Sequence, residues 1–242
     1  MNIESAAINI LKRGVELDTK KRYTEALVCY QEGLQILVDK MKEETDEAVK
    51  KYLRVKVTEY MNRAEGIKRL ILKNKEEGKF HEQVIIQDNS TGHSYKTLFG
   101  RFLDDDVQYV AVEDPYIRSF HQCQNFLRLC ELLVKSCSNL QLIELVTSKD
   151  NRTDKDQRQW LAELTEDLRK YRVQLVVKFS ETLHDRQITI STGWIIKIGR
   201  GLDIYKAPES KFSLGVYEYD LRPCHETTVD IIHSKNVKQS YG

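Results

Sequence analysis

No stretch of this sequence comes near the run of about eighteen apolar residues that a membrane-spanning helix needs, which excludes such a helix. A charged start followed by an apolar stretch is missing too: MNIESAAINILKRG is amphipathic with Glu4 inside it, so no secretory signal is expected. Charge of one sign is also lacking. Lys and Arg number 38 against 37 Asp and Glu, a net charge of +1, which argues against a strongly basic nucleic-acid binder. The five cysteines form no close-spaced pair, which fits a reducing compartment and predicts a cytoplasmic protein. Cys123, Cys130 and Cys137 lie seven apart in a predicted helix, an advance of about 10.5 Å, whereas a disulfide needs Cα atoms within roughly 7 Å and zinc thiolates lie closer still. They read as small apolar fillers of one face, and no metal site is expected. Ala26, Leu27 and Tyr30 fit the A-L-x-x-Y of a tetratricopeptide helix, but recurrence at about 34 residues is absent.

What is present is 40% apolar and 31% charged residues in 242, enough for one large domain or two smaller ones. The periodicity divides the chain. Over residues 2–17, Ile3, Ala7, Ile10 and Leu17 share a helical face; from Thr24, a candidate N-cap, Ala26, Leu27, Tyr30, Leu34, Leu37 and Met41 keep helical spacing. Thr45 offers a cap for a third helix running to about Lys75, with Asp46 and Glu47 favourable to its dipole. An antiparallel three-helix bundle over 1–79 follows, closed by KNKEEGK (73–79) as a linker. From residue 80 to 242 β-branched runs alternate with helical patterns. The runs are Val84–Gln87, Tyr109–Val112, Leu140–Val146, Val173–Phe179 and Gln187–Ile198, the last broken by a hairpin turn at Ser191, Thr192 and Gly193. Phe120–Val134 and Arg158–Tyr171 are the clearest helices, and KFSLGVYEYDLRP (211–223) suggests further strands. This second part is an α/β domain with crossover connections.

The third helix carries two rows. Leu53, Val57, Tyr60, Ala64, Ile67 and Ile71 form an apolar stripe for the bundle's interior. One step around, Thr58, Met61, Glu65, Lys68 and Leu72 mix soft apolar groups with opposite charges, a composition that suits a groove wall receiving an amphipathic helix. A solvated face with scattered apolar residues fits the same spacing.

ILKRGVELD (10–18), YTEALVCYQEGLQIL (23–37) and EYMNRAEGIKRL (59–70) together resemble an MIT domain, the microtubule-interacting and trafficking module. The resemblance implies that the last segment walls a groove between helices two and three, which receives C-terminal helices of ESCRT-III subunits. It implies that Met61 stands at the apolar anchor and Glu65 at the acidic position meeting a basic ligand residue. Asn62, where the family commonly has Asp, and Gly66 depart from the pattern. A second groove, between helices one and three, serves other ligands in that family.

In the second domain LHDRQITISTGWIIKIGRGLDIY (183–205) is similar to the phospholipase D motif, a His-x-Lys followed by an Asp and a Gly-Ser pair. His184 matches the nucleophile, Arg186 stands at the lysine and Gly199 at the first residue of the pair. Ser191 falls at the aspartate, Arg200 replaces the serine, and no second His-x-Lys follows. Phosphodiester cleavage by this scheme needs two histidines, so the resemblance implies a retained fold without catalytic residues; the alternative is a dimeric phosphodiesterase using His184 from each chain. VAVEDPYIR (110–118) also looks like the opening strand and turn of that fold. His184, Arg186, Lys197 and Arg200, with Lys206 and Lys211, are candidates for contact with an acidic phospholipid surface, at about 1 kcal/mol per basic residue. Three other motifs fail. HETTV (225–229) has Val229 where a second metal ligand is required, Ile204 occupies the third position of a dinucleotide glycine motif, and the neighbours Cys224 and His225 point apart on a strand. No cofactor is expected. An MIT domain followed by a phospholipase-D-like domain resembles non-enzymatic adaptors that act with ESCRT-III in cytokinesis, at the midbody or late endosome membrane, and pair with themselves.

Overall fold

The computed structural model describes residues 3–149 and 154–234. The chain divides into two compact units between Glu82 and Gln83.

The first unit contains α1 (Ile3–Thr19), α2 (Tyr23–Glu43) and α3 (Glu47–Glu76). Residue 2, the expected start of the first helix, and the side chain of Ile3, a member of its expected stripe, lie outside the described ones. Ala7, Leu11 and Leu17 of α1, Ala26, Tyr30, Leu34 and Leu37 of α2, and Leu53, Val57, Ala64, Ile67 and Ile71 of α3 are buried together. Most of the expected core holds, with Leu11 filling the place expected of Ile10; Ile10, Leu27, Met41 and Tyr60 are only half-buried. The α1–α2 crossing is close because two small residues lie in it. A Cβ on Gly33 would come within 2.6 Å of the Leu11 side chain, and one on Gly14 within 3.3 Å of Tyr30. Both expected caps are displaced by one or two residues. Helix α2 starts at Tyr23 after Arg22, which grips Glu25 of the first turn at 2.6 Å, so Thr24 lies inside the helix. At α3 the cap is Asp46, whose carboxylate accepts from the Ala48 and Val49 N–H groups at 2.8 and 3.3 Å, in place of Thr45. Much of the charged segment expected as a linker continues α3 to Glu76, and Gly78, at φ +67°, follows its end.

The second unit is built on a seven-stranded sheet of order β1-β7-β6-β5-β2-β3-β4. The strands are β1 (His81–Ile86), β2 (Tyr109–Glu113), β3 (Leu142–Thr147), β4 (Gln174–Phe179), β5 (Gln187–Ile190), β6 (Trp194–Ile198) and β7 (Thr227–His233). Strands β2, β3 and β4 run parallel, and β5 and β6 form the expected hairpin, whose β5 pairs antiparallel with β2. A short α4 (Tyr95–Phe99), unanticipated from the sequence, precedes α5 (Phe120–Ser136) and α6 (Asp154–Lys170). The last two carry the β2–β3 and β3–β4 crossovers. Successive right-handed crossovers in one direction put both helices on one face of the sheet. There Val110, Val112, Ile143, Leu145, Leu175, Ile188, Ile190 and Ile196 are buried with Phe126, Leu129 and Leu133 of α5. Cys123, Cys130 and Cys137 are buried and free, as fillers would be, and burial pushes the Cys123 and Cys137 thiols up to about 11.

The stretch 211–223 forms no strand. It is an exposed loop ending in a 3-10 turn at Tyr219–Leu221, because Gly215 takes φ +83° and Arg222 turns inward to bind backbone carbonyls that a strand would have offered to a neighbour. Two substitutions separate close packing from helix propensity. Gly33→Val, pressing on Leu11, should lower stability by about 1–3 kcal/mol. Gly66→Ala, whose added Cβ meets nothing within 4 Å, should raise it by up to about 1 kcal/mol. Urea unfolding of the full chain reads both.

Candidate functional site

Burial of the α3 stripe leaves the neighbouring row outside. Met61 is 45% and Leu72 48% exposed, and Thr58, Glu65 and Lys68 are exposed between and beside them. The Thr58 hydroxyl donates back to the Arg54 carbonyl at 2.8 Å. Glu65 and Lys68 make no ion pair among the described residues, so both charges remain available. The side of α3 that meets α1 is marked by Arg63, whose guanidinium donates twice to the Asp18 carboxylate at 2.6 Å. At about 100° per residue Arg63 lies about 200° around the helix from Met61. The Met61 row is therefore on the flank turned from α1. Arg63 holds the Asp18 carboxyl below its ordinary value, chiefly by hydrogen bonding and against the opposing effect of burial.

The second candidate region is the edge where the parallel strands end. Asp114, immediately after β2, is 3% exposed, and its carboxylate accepts from the N–H groups of Tyr116 at 2.9 Å and Leu202 at 2.8 Å. This joins the turn after β2 to the turn after β6, where Gly201, at φ +66°, leaves no room for a Cβ beside the same carboxylate. Burial raises the Asp114 carboxyl above its ordinary value, opposed by those two N–H groups and by the Arg186 charge. Arg186 is not free at the surface: it donates to the Gly199 carbonyl and stacks 4.8 Å from the Tyr116 ring centre.

The sequence candidates on this side are not all brought together. Lys197 sits in register opposite Gln187 and Asp230, and Arg186, one residue before Gln187, points to the other face of the sheet. His184 is exposed in the approach to β5 and makes no hydrogen bond among the described residues. Ser191 lies beyond the opposite end of β5, a separation of about 13 Å or more at 3.4 Å per residue. Its hydroxyl accepts from the Gln108 and Tyr109 N–H groups. Lys206 pairs with Asp88 at 2.7 Å. Arg200 and Lys206 are each close enough to His225 that, after burial, their charges depress its pKa.

Beside them is a cleft of about 650 Å³ that the sequence did not disclose, lined among others by Arg128, Asp203, Lys206, Tyr219, Arg222 and His225. Arg128 and Arg222 stack on the Tyr219 ring at 4.3 and 4.7 Å. These residues come from α5, from the segment after β6 and from the approach to β7, so no local spacing announces them.

Family models match both parts of the chain: residues 4–69 match the MIT (microtubule interacting and transport) domain, and residues 92–233 match the phospholipase D-like domain found at the C-terminus of MIT. The chain is 47% identical over 236 residues to MIT domain-containing protein 1 of Mus musculus, covering 97% of this chain and 95% of that relative.

The flank assignment has a pH signature. Because its folded pKa is depressed from 3.8 by Arg63, Asp18 contributes stability that is present above that value and lost as the pH falls through the folded pKa. Asp18→Asn should unfold at lower urea than the parent at neutral pH, and the gap should close in acid.

Proposed function

Because the chain belongs to the family in which an MIT domain is followed by a phospholipase D-like domain, we propose that it is a non-enzymatic adaptor that binds C-terminal tail helices of ESCRT-III subunits through the first domain and an acidic phospholipid surface through the second. The observation that carries the first half is the α3 row: Met61 and Leu72 half out of the bundle, with Thr58, Glu65 and Lys68 exposed beside them and both charges unpaired among the described residues. A partner helix laid along this row would set apolar residues on Met61 and Leu72 and a basic residue against Glu65. Lys68, one turn on from Glu65, would fix its register through an acidic group.

Magnitudes favour a multivalent tether. One or two apolar anchors at about 1.5 to 3 kcal/mol each supply about 6 kcal/mol at most, short of the roughly −8 kcal/mol of micromolar binding, so a single groove contact is weak on its own. Pairing of the chain with itself and a simultaneous membrane contact raise the effective affinity for a polymer that repeats its tail by about 10² or more. The reading places the protein in cytokinetic abscission, on midbody and late endosome membranes from the cytoplasmic side. No described helix is long and apolar enough to cross a membrane. His184, Arg186, Lys197 and Arg200 are carried into this proposal as lipid contacts. Arg200 is exposed, and its charge reaches His225 of the cleft. The non-enzymatic part is supported by His184, which has no carboxylate partner among the described residues, and by Ser191 at the position of the motif's aspartate.

Met61→Asp should weaken binding of ESCRT-III tail peptides to the full chain by at least about tenfold, the loss of one apolar anchor, with the helical circular dichroism unchanged. Unchanged affinity by calorimetric titration would remove the groove, and phosphodiester turnover lost in His184→Ala would replace the adaptor with an enzyme.

A further inference from the structure

The loop between Lys206 and Tyr219 carries the three most exposed large apolar side chains among the described residues. Phe212 is 100%, Tyr217 92% and Leu214 85% exposed. Single exposed apolar side chains are ordinary on a protein surface; three so fully exposed within one loop are not. The loop is also held in shape. The Phe212 N–H donates to the Ser210 hydroxyl at 3.1 Å, and the Ser213 hydroxyl donates to the Ser210 carbonyl at 2.9 Å. Arg222, 6% exposed, spends its guanidinium on the carbonyls of Lys206 (3.2 Å) at the loop's entry and of Gly215 and Val216 (3.0 Å) at its exit. Polar backbone is thus gathered inward while the apolar tips point out, an arrangement that has its cost in water and its use against something apolar.

What lies behind the loop selects the occupant. Val216 and Tyr217 line the same cleft as Arg128, Lys206, Arg222 and His225, with Asp203 as the acidic residue among its lining. Arg128 has Asn125 and the Tyr219 ring as partners and no carboxylate among the described residues. Glu209 precedes the tip, and Glu218 at its far end is folded back to accept from the Asp220 N–H at 3.1 Å. Apolar tips carrying Lys211, next to a cleft in which Arg128 lies among aromatic rings, match the two halves of an anionic phospholipid. Aromatic and leucine side chains suit the depth of the headgroup boundary, where an aromatic ring with a polar tip such as Tyr217 is favoured.

We propose that the loop 207–218 is a bilayer-inserting wedge: Phe212, Leu214 and Tyr217 enter the interface of an acidic membrane while Arg128, whose charge meets no carboxylate among the described residues, and the neighbouring His225 receive the phosphate of an anionic lipid headgroup in the adjoining cleft. This rests on the lipid half of the proposed function and moves its centre from the His184 region to a segment that no motif marks.

The test uses the full chain with Phe212→Trp, the parent's own two tryptophans serving as the baseline. The probes are phosphatidylcholine vesicles with and without phosphatidylserine, each also prepared with bromine-labelled acyl chains. The expected result is a blue shift and bromine quenching of the added tryptophan on the acidic vesicles. The triple variant Phe212→Ser, Leu214→Ser, Tyr217→Ser, altered only at exposed positions, should bind those vesicles at least about tenfold more weakly with its tail-peptide affinity intact. Sedimentation with acidic vesicles without a shift, and equal binding by the triple variant, would overturn the wedge and leave the lipid reading standing. Failure of the parent to sediment would end both. A blue shift that grows with protein concentration in the absence of vesicles would assign the loop to a second copy of the chain and contradict the wedge.

Discussion

The rotation of α3 about its own axis is set by Leu53, Val57, Ala64, Ile67 and Ile71, which are buried against the rest of the first unit. A 30-residue helix with that stripe inside cannot also bury a row one step around it. Turning α3 enough to hide Met61 and Leu72 would bring Ile67 or Leu53 toward water at about 1.5–3 kcal/mol for each such side chain. The Arg63–Asp18 pair adds a second, directional constraint on the opposite flank. The exposure of the Met61 row is thus a consequence of core packing, and whatever binds it meets a surface already formed, with little ordering left to offset on association.

The second unit works by a different device. Strand alternation sends one set of side chains beneath α5 and α6 and the other set to the opposite face, so residues adjacent in sequence, such as Ile196 and Lys197, serve different surfaces. That is why a basic cluster inferred from closeness along the chain, Arg186 with Lys197, is divided by the sheet, whereas Arg128, Arg222 and His225, far apart in sequence, share one cleft. Asp114 closes this edge. Its contact with the Leu202 N–H spans 88 residues and fixes the turn from which Arg200 and Asp203 project.

Legibility followed the range of the interactions. The three helices of the first unit, the β5–β6 hairpin and the crossover helices are dictated by local period, and each lies where the spacing places it. Adjacent polar residues compete for the caps: Asp46 prevails over Thr45 by accepting two N–H groups. In 211–223 the alternation of Phe212, Leu214 and Val216 imitates a strand, but the loop geometry is decided by Gly215 and by a guanidinium that reaches back to Lys206. Nothing in the spacing of Arg128, Tyr219 and Arg222 foretells a ring between two cations. The expected core was legible because burial is periodic, and the cleft was not, because its chemistry is assembled from distant segments.

On the proposed reading the two domains would divide the labour by chemistry: a preformed helical flank for a peptide, and a sheet edge with cations and apolar tips for a charged surface. The peptide half is the premise for the rest, and it is tested most directly by chemical-shift mapping of the isotope-labelled full chain titrated with a synthetic ESCRT-III tail helix. The account predicts that the largest shifts fall on Thr58, Met61, Glu65, Lys68 and Leu72. Shifts concentrated on Asp18 and Arg63, or confined to residues beyond Gln83, would contradict it.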